Sequence, residues 1–262
     1  MPYTNVNNIK LYFESQGDGE PVVLIGGLGS DISSWATQIP IYSKLFRVIY
    51  FDNRGMGRTD KPDTRYSTEV MADDTISLLD NIGIEKASFV GKSMGGMIAQ
   101  WIGIKYPDRV NKLVLGCCSA SRDDVGNEII RTSREIATKA GMKTVWLTAL
   151  FLSYSREYIE TNLSFIRDNL SKIPDTGEIL TGYLRQSAAC EEHDVMGRIS
   201  GVSAKTLVIY GKNDFITSPQ RSLQMASLIR NSKAIGYDAG HGFWREKQGQ
   251  VDGDIIEFLS KD

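Results

Sequence analysis

The sequence predicts an α/β protein with a mostly parallel central sheet flanked by helices. Short runs rich in Val, Ile and Leu recur along the 262 residues. Several are unbroken rather than alternating, which is the pattern of strands covered on both faces. Helical stretches stand between them, and strands that alternate with helices pair in parallel. The strand-like runs are residues 9–13, 22–25, 47–51, 87–90, 110–117, 206–210 and 233–237.

Two helices are clear from local chemistry. After Ser67 and Thr68, both good caps, Met71, Leu78 and Ile82 recur at helical spacing until Gly83 stops the run. Residues 97–106 form another, ended by Pro107. From about 120 to 204 the alternation breaks and no strand pattern appears. There Ile159, Leu163, Ile166 and Leu170 step along one helix face, and residues 142–152 also read as helix, apolar on most sides. Pro174, Asp175, Thr176 and Gly177 make the clearest turn in this stretch. The segment is a helical insertion, either packed into the core or laid over the strand ends.

Composition narrows the classes of function. At about 150 residues per domain the length fits one large domain or two modest ones. Thirty basic side chains against 32 acidic ones give a net charge of −2, without a basic tract. That leaves no electrostatic footprint for nucleic acid or an anionic membrane. With 41% apolar and 24% charged residues the chain is ordinary globular protein, not disordered or fibrous. The start carries no basic stretch leading into an apolar run, so no secretory signal is expected, and no apolar run reaches the roughly 18 residues of a membrane helix. Cys117, Cys118 and Cys190 make a poor disulfide framework and suit a reducing cytoplasm. Cys117 and Cys118 end an apolar run and read as small buried hydrophobes. No Cys or His pair stands at metal-ligand spacing, so no metal is expected.

The chemistry begins where the run 87–90 enters Gly91-Lys92-Ser93-Met94-Gly95-Gly96 and a helix follows. This is G-x-S-x-G in its meaningful setting, a strand turning sharply into a helix so that a serine hydroxyl stands clear. The string alone is weak in a chain with 25 glycines; its placement carries the weight. Gly91-Lys92-Ser93 also ends like a nucleotide-binding loop, but Lys86 stands where that loop needs an earlier glycine.

A serine nucleophile needs a base, and the chain offers two histidines. His241 follows the last strand on a loop between Gly240 and Gly242. His193 lies in Glu191-Glu192-His193-Asp194 and reads as a solvated histidine in a charged stretch. The base in turn needs a carboxylate to fix its tautomer. Asp214 stands in the loop that follows the strand 206–210, and the order Ser93, Asp214, His241 is that of an α/β-hydrolase. Asp123, also just past a strand end, is the runner-up; Asp238 is nearer His241 in sequence. An oxyanion needs two convergent amides. Met94 follows the nucleophile, and Leu28 sits in the glycine-rich loop after the strand 22–25. A dinucleotide site at those glycines fails on spacing.

On these residues the chain resembles α/β-hydrolases of the carboxylesterase and 3-oxoadipate enol-lactonase type, nearly end to end. The likeness rests on Gly26-Gly27-Leu28-Gly29, Asp52-Asn53-Arg54-Gly55-Met56-Gly57, residues 91–96, residues 211–214 and Gly240-His241. It implies an α/β-hydrolase fold with a core of residues 1–119 and 205–262. A helical cap, residues 120–204, would be inserted after the sixth strand of the large sheet. The stretch 52–57 is similar to a structural loop of the family, which gives Arg54 no catalytic task. Relatives often carry His-Gly where Gly26-Gly27 stands here, so a side chain that helps hold that loop is absent.

The implied activity is a serine hydrolase acting on carboxylic esters or lactones, with no cofactor and with water as co-substrate. The same triad also serves C–C bond hydrolysis, perhydrolysis and amide cleavage, and a weakly catalytic ligand-binding protein on this fold is the alternative from another class. Trp35, Met94, Trp146, Phe151, Phe215 and Trp244 lie in segments expected to surround the cleft, with at most half of them lining it.

Overall fold

The computed structural model describes residues 2–171 and 177–261. Eight strands form one sheet: β1 (Tyr3–Val6), β2 (Ile9–Gln16), β3 (Pro21–Ile25), β4 (Arg47–Phe51), β5 (Ala87–Lys92), β6 (Val110–Gly116), β7 (Lys205–Gly211) and β8 (Ser232–Tyr237). Their order is β1-β2-β4-β3-β5-β6-β7-β8. The β1–β2 and β2–β4 pairings are antiparallel, and every pairing from β4 across to β8 is parallel. This is the alpha/beta hydrolase fold. The sequence runs missed β1, whose Tyr-Thr-Asn-Val holds few apolar residues and is mostly exposed. Its turn into β2 is made by Asn7 and Asn8, both at positive φ (42° and 64°), which asparagine tolerates better than most residues.

The unbroken apolar runs have a direct physical cause. Successive strand residues point to opposite faces, and helices cover both. On β3, Val23 and Ile25 join one core while Val22 and Leu24 join the other. On β4, Ile49 and Phe51 part from Val48 and Tyr50 in the same way.

Among the described residues the α-helices, in chain order, are α1 (Ile39–Tyr42), α2 (Thr68–Asn81), α3 (Met94–Lys105), α4 (Asp124–Ala140), α5 (Met142–Ser153), α6 (Arg156–Ser171), α7 (Gly177–Glu191), α8 (Pro219–Leu228), α9 (Phe243–Glu246) and α10 (Gln248–Ser260). Helices α2, α3 and α8 pack on one face of the sheet, and α1, α9 and α10 on the other. The Ser67 hydroxyl caps α2 by accepting from the Val70 N–H at 3.0 Å.

Helices α4 to α7 form the insert between β6 and β7, closed at its base by a bridge between Ser121 and Asp194. It has its own small core of Ala137, Met142, Val145 and Tyr183, against which Leu28 packs. Ile159, Leu163 and Ile166 do share a face of α6, with Ile166 the most buried. The side chain of Leu170 and the turn at Pro174, Asp175 and Thr176 lie outside the described residues, and Gly177 begins α7. Among the described residues no helix is long and apolar enough to cross a membrane.

The loop after β4 is tied down by charge. Arg54, 6% exposed, makes a two-pronged ion pair with Asp74 of α2, 2% exposed, at 2.5 and 2.7 Å. Both oxygens of the Asp52 carboxylate accept backbone N–H groups, from Ile32 at 2.7 Å and Arg58 at 2.8 Å. Asp74→Ala would leave the guanidinium buried without its partner. Urea denaturation of that variant should give a loss of about 3–5 kcal/mol, whereas a loss below about 1 kcal/mol would contradict a buried pair.

Candidate active site

Ser93 occupies the single residue between β5 and α3, at φ 53° and ψ −115°. A residue with a β-carbon is strained there by about 1–3 kcal/mol unless its surroundings over-determine it. Here they do. The Ser93 N–H donates to the Gly116 carbonyl at 2.8 Å, and the Ser93 carbonyl accepts from Gly96 and Met97 at 2.9 and 3.2 Å. The glycines of the motif answer to close backbone contact. A β-carbon on Gly91 would lie 2.3 Å from the Gly95 oxygen, and one on Gly95 would lie 2.0 Å from the Ile25 oxygen. Any other residue would push the helix off the strand ends.

His241 follows β8, and its Nδ1 is 2.7 Å from Asp214 Oδ2. Asp214 follows β7, and its other oxygen accepts the Ile216 and Thr217 N–H groups at 2.8 and 2.9 Å. The Asp214 side chain is fully buried and fixed at both oxygens, so it orients the ring with Nδ1 as the donor. Burial works to lower the His241 pKa. The Asp214 charge, the Cys117 thiol and hydrogen bonds from the ring to both outweigh it and hold the pKa well above 6.5.

That thiol is the small buried residue the sequence suggests, 2% exposed within a hydrophobic core. Cys117 also lines the cavity shared by Ser93 and His241. Ser93 and His241 face one another across this space without a direct hydrogen bond. The nearest sequence signal was the position of Cys117 just past a strand end, where side chains reach the cleft.

The other candidates are engaged elsewhere. Asp123 caps α4, accepting from the Gly126 N–H at 2.8 Å. Asp238 is exposed and bonds Asn213 at 3.1 Å. His193 is not solvated: it is 3% exposed, sits 2.8 Å from the Thr68 hydroxyl, and is held near pKa 4 by burial. A charged sequence neighbourhood misled there, because Glu191 and Glu192 turn to arginines at the surface while the ring turns inward.

The loop after β3 passes directly against the Ser93 turn. A β-carbon on Gly27 would sit 3.5 Å from the Ser93 Cβ. Among the described residues neither the Leu28 nor the Met94 amide donates a hydrogen bond. Two free donors therefore flank the serine, one on the loop and one at the first turn of α3, where amides lack intrahelical partners.

The cavity around these groups measures about 260 Å³. Trp146 and Trp244 line it; Trp35, Phe151 and Phe215 do not. Trp35 is fully buried and meets Trp244 edge-on from behind, with ring centroids 5.5 Å apart. Phe151 and Phe215 are 60% and 62% exposed. Helix α5 turns Val145, Ala149 and Leu152 inward, which sends Phe151 outward. Phe215 is thrown to solvent by the tight turn closed on Asp214. Met94, fully buried, also lies outside the lining.

Three cations line the cavity, Lys92, Arg122 and Arg245, with no carboxylate among the lining residues. Lys92 lies over the Trp35 and Trp244 rings at 3.7 and 4.7 Å, and burial lowers its pKa to about 7. Among the described residues no three His, Cys, Asp or Glu side chains are placed to hold a metal ion. A larger hollow of about 530 Å³ by Asp80, Ile84 and Arg109 lies at the other end of the strands, away from these groups.

A family model described as alpha/beta hydrolase fold matches residues 20–139. The chain is 28% identical over 226 residues to 3-oxoadipate enol-lactonase 2 of Acinetobacter baylyi, covering 86% of this chain and 83% of that one. It is also 28% identical over 236 residues to a putative carbamate hydrolase, RutD, of Agrobacterium fabrum, covering 88% and 90%. Among solved structures, the enol-lactonase of Burkholderia xenovorans superposes with a TM-score of 0.92 at 26% identity, covering 99% of this chain and all of that one. A thermophilic esterase of Thermogutta terrifontis gives 0.86 at 28% identity, covering 98% and 96%.

The His241–Asp214 contact has a titration signature. The folded state favours the protonated ring, so this pair's contribution to stability is complete below pH 6.5 and is lost as pH rises through the raised folded value. An NMR titration of the His241 ring should give a midpoint above 6.5, and Asp214→Asn should bring it down. A midpoint at or below 6.5 in the unmodified protein would contradict the pairing.

Proposed function

Because the chain belongs to the alpha/beta hydrolase fold family, we propose that it is a serine hydrolase that cleaves carboxylic esters or lactones. One observation carries the reading. The His241–Asp214 pair opens onto the cavity in which Ser93 stands on its strained turn.

In this reaction the neutral His241 ring accepts the Ser93 proton while the hydroxyl oxygen attacks the substrate carbonyl. Asp214 holds the ring and stabilises its charged form without taking the proton. The Leu28 and Met94 amides hold the oxyanion of the tetrahedral intermediate. Collapse breaks the bond to the alcohol, which leaves with the proton carried by His241. The ring then takes a proton from water, whose oxygen attacks the acyl-serine, and the acid is released as Ser93 recovers its hydrogen. For a lactone the acid and alcohol are parts of one product.

The ester and lactone assignment is supported by the relatives named as enol-lactonase and esterase. A compact cavity walled by Trp146, Trp244 and aliphatic side chains suits a small, partly apolar acyl group. The helical insert, residues 120–204, serves as the lid of this cavity, since α5 and α7 supply Trp146 and Tyr183 to its wall.

A fluorophosphonate probe should label the protein and fail to label Ser93→Ala. The same variant should lose about 10⁶-fold in turnover of short p-nitrophenyl esters or lactones while keeping its fold. Folded wild-type protein that neither reacts with the probe nor turns over that panel would overturn the proposal. Since the base must be neutral, kcat/KM should rise with pH through a midpoint above 6.5, and a profile flat down to acid pH would contradict an imidazole base.

A further inference from the structure

We infer that Gln186 is a positioning residue that sets the oxyanion hole from the helical insert, a role that rests on the Leu28 amide serving as proposed. Gln186 lies on α7 and is completely buried. Its side-chain carbonyl accepts the Gly29 N–H at 2.9 Å, and its NH₂ donates to the Arg54 carbonyl at 2.8 Å. One amide thus joins three separate pieces of chain: the loop after β3, the loop after β4, and the insert. The partners lie 157 and 132 residues away in sequence.

The geometry leaves this link little freedom. The amide cannot flip, because Gly29 offers only a donor and Arg54 only an acceptor. The helix cannot slide, because Gly182 rides backbone-to-backbone on Gly55: a β-carbon there would lie 1.8 Å from the Gly55 oxygen. Arg54 is itself clamped to Asp74. The anchor is therefore rigid from α2 through Arg54 to Gln186, and it ends on the residue after Leu28.

Another tie on this loop acts on the Leu28 peptide group itself, because the Gly27 carbonyl and the Leu28 N–H share one plane. Asn53 holds the Gly26 carbonyl at 3.2 Å, and Ser30 bonds the Gly27 carbonyl within the loop at 2.9 Å. Of the two peptide groups flanking Leu28, Ser30 orients the preceding one, which carries the Leu28 N–H, and among the described residues Gln186 alone holds the following one and so places both against α7. Without it the Gly29 N–H would be buried unpaired, and the loop would turn to satisfy it, carrying the Leu28 donor off its aim. A donor 1 Å out of place costs the transition state far more than the bound substrate.

The test compares Gln186→Met and Gln186→Glu with wild type on a p-nitrophenyl ester. Binding of a trifluoromethyl ketone, which forms an oxyanion on the serine, is measured beside binding of the matching alcohol, which does not. Methionine fills the space but neither accepts nor donates usefully. It should lower kcat about 10- to 100-fold with KM nearly unchanged, and weaken the ketone by a like factor while sparing the alcohol. Glutamic acid, protonated in so dry a setting, can accept from Gly29 and donate to Arg54, and should recover most of the loss.

A merely structural role predicts a lower melting temperature with kcat per folded molecule intact, or equal losses in the ketone and the alcohol; either result overturns the inference. If the Met variant does not fold, Gln186→Asn, one methylene short of its partners, carries the same comparison. Failure of Ser93 to react with fluorophosphonate in wild type would instead remove the reading beneath it, and so the two failures are told apart.

Discussion

A serine forced into a backbone conformation that favours glycine is the constraint around which the molecule is arranged. The strain at Ser93 is held by hydrogen bonds to β6 and to the first turn of α3, and by the absence of side chains at Gly91 and Gly95. That turn can be so tight only because β3, β5 and β6 lie side by side in parallel. Their ends then meet at one level, and the rest of the sheet exists to hold that level.

The same arrangement explains how distant segments share one cavity. The residues after β3, β5, β6, β7 and β8 all leave the sheet at its carboxyl edge, where open α/β sheets place their ligands. The order reverses at β3, with β4 to one side and β5 to the other, so the glycine loop and the Ser93 turn are neighbours there. Helices α4, α5 and α7 of the insert contribute Ile129, Val145, Trp146 and Tyr183 to the cavity lining. Burial lowers the Lys92 pKa to about 7, so the fixed positive charge of the lining belongs to Arg122 and Arg245.

Much of the fold was legible because it rests on local signals. Unbroken Val and Ile runs marked the central strands, Ser67 marked the start of α2, and the G-x-S-x-G string was read from its strand-and-helix setting. What escaped was decided by side-chain direction. Phe151 and Phe215 lie in the right segments but point to solvent, Trp35 supports the wall from behind, and His193 hides its ring amid charged neighbours. Edge strand β1 carries no apolar pattern because it has little to bury. The meeting of Cys117 and His241 in one cavity lining and the bridging amide of Gln186 are long-range events that no spacing announces.

The proposed reaction needs one point in space shared by the Ser93 oxygen and two backbone donors. A crystal structure of the protein inactivated with a small fluorophosphonate tests it most directly. The account predicts phosphorus bonded to Ser93 Oγ, with the phosphonyl oxygen about 2.7–3.1 Å from the amide nitrogens of both Leu28 and Met94. Phosphorus on another residue, or a phosphonyl oxygen turned away from those amides, would contradict it.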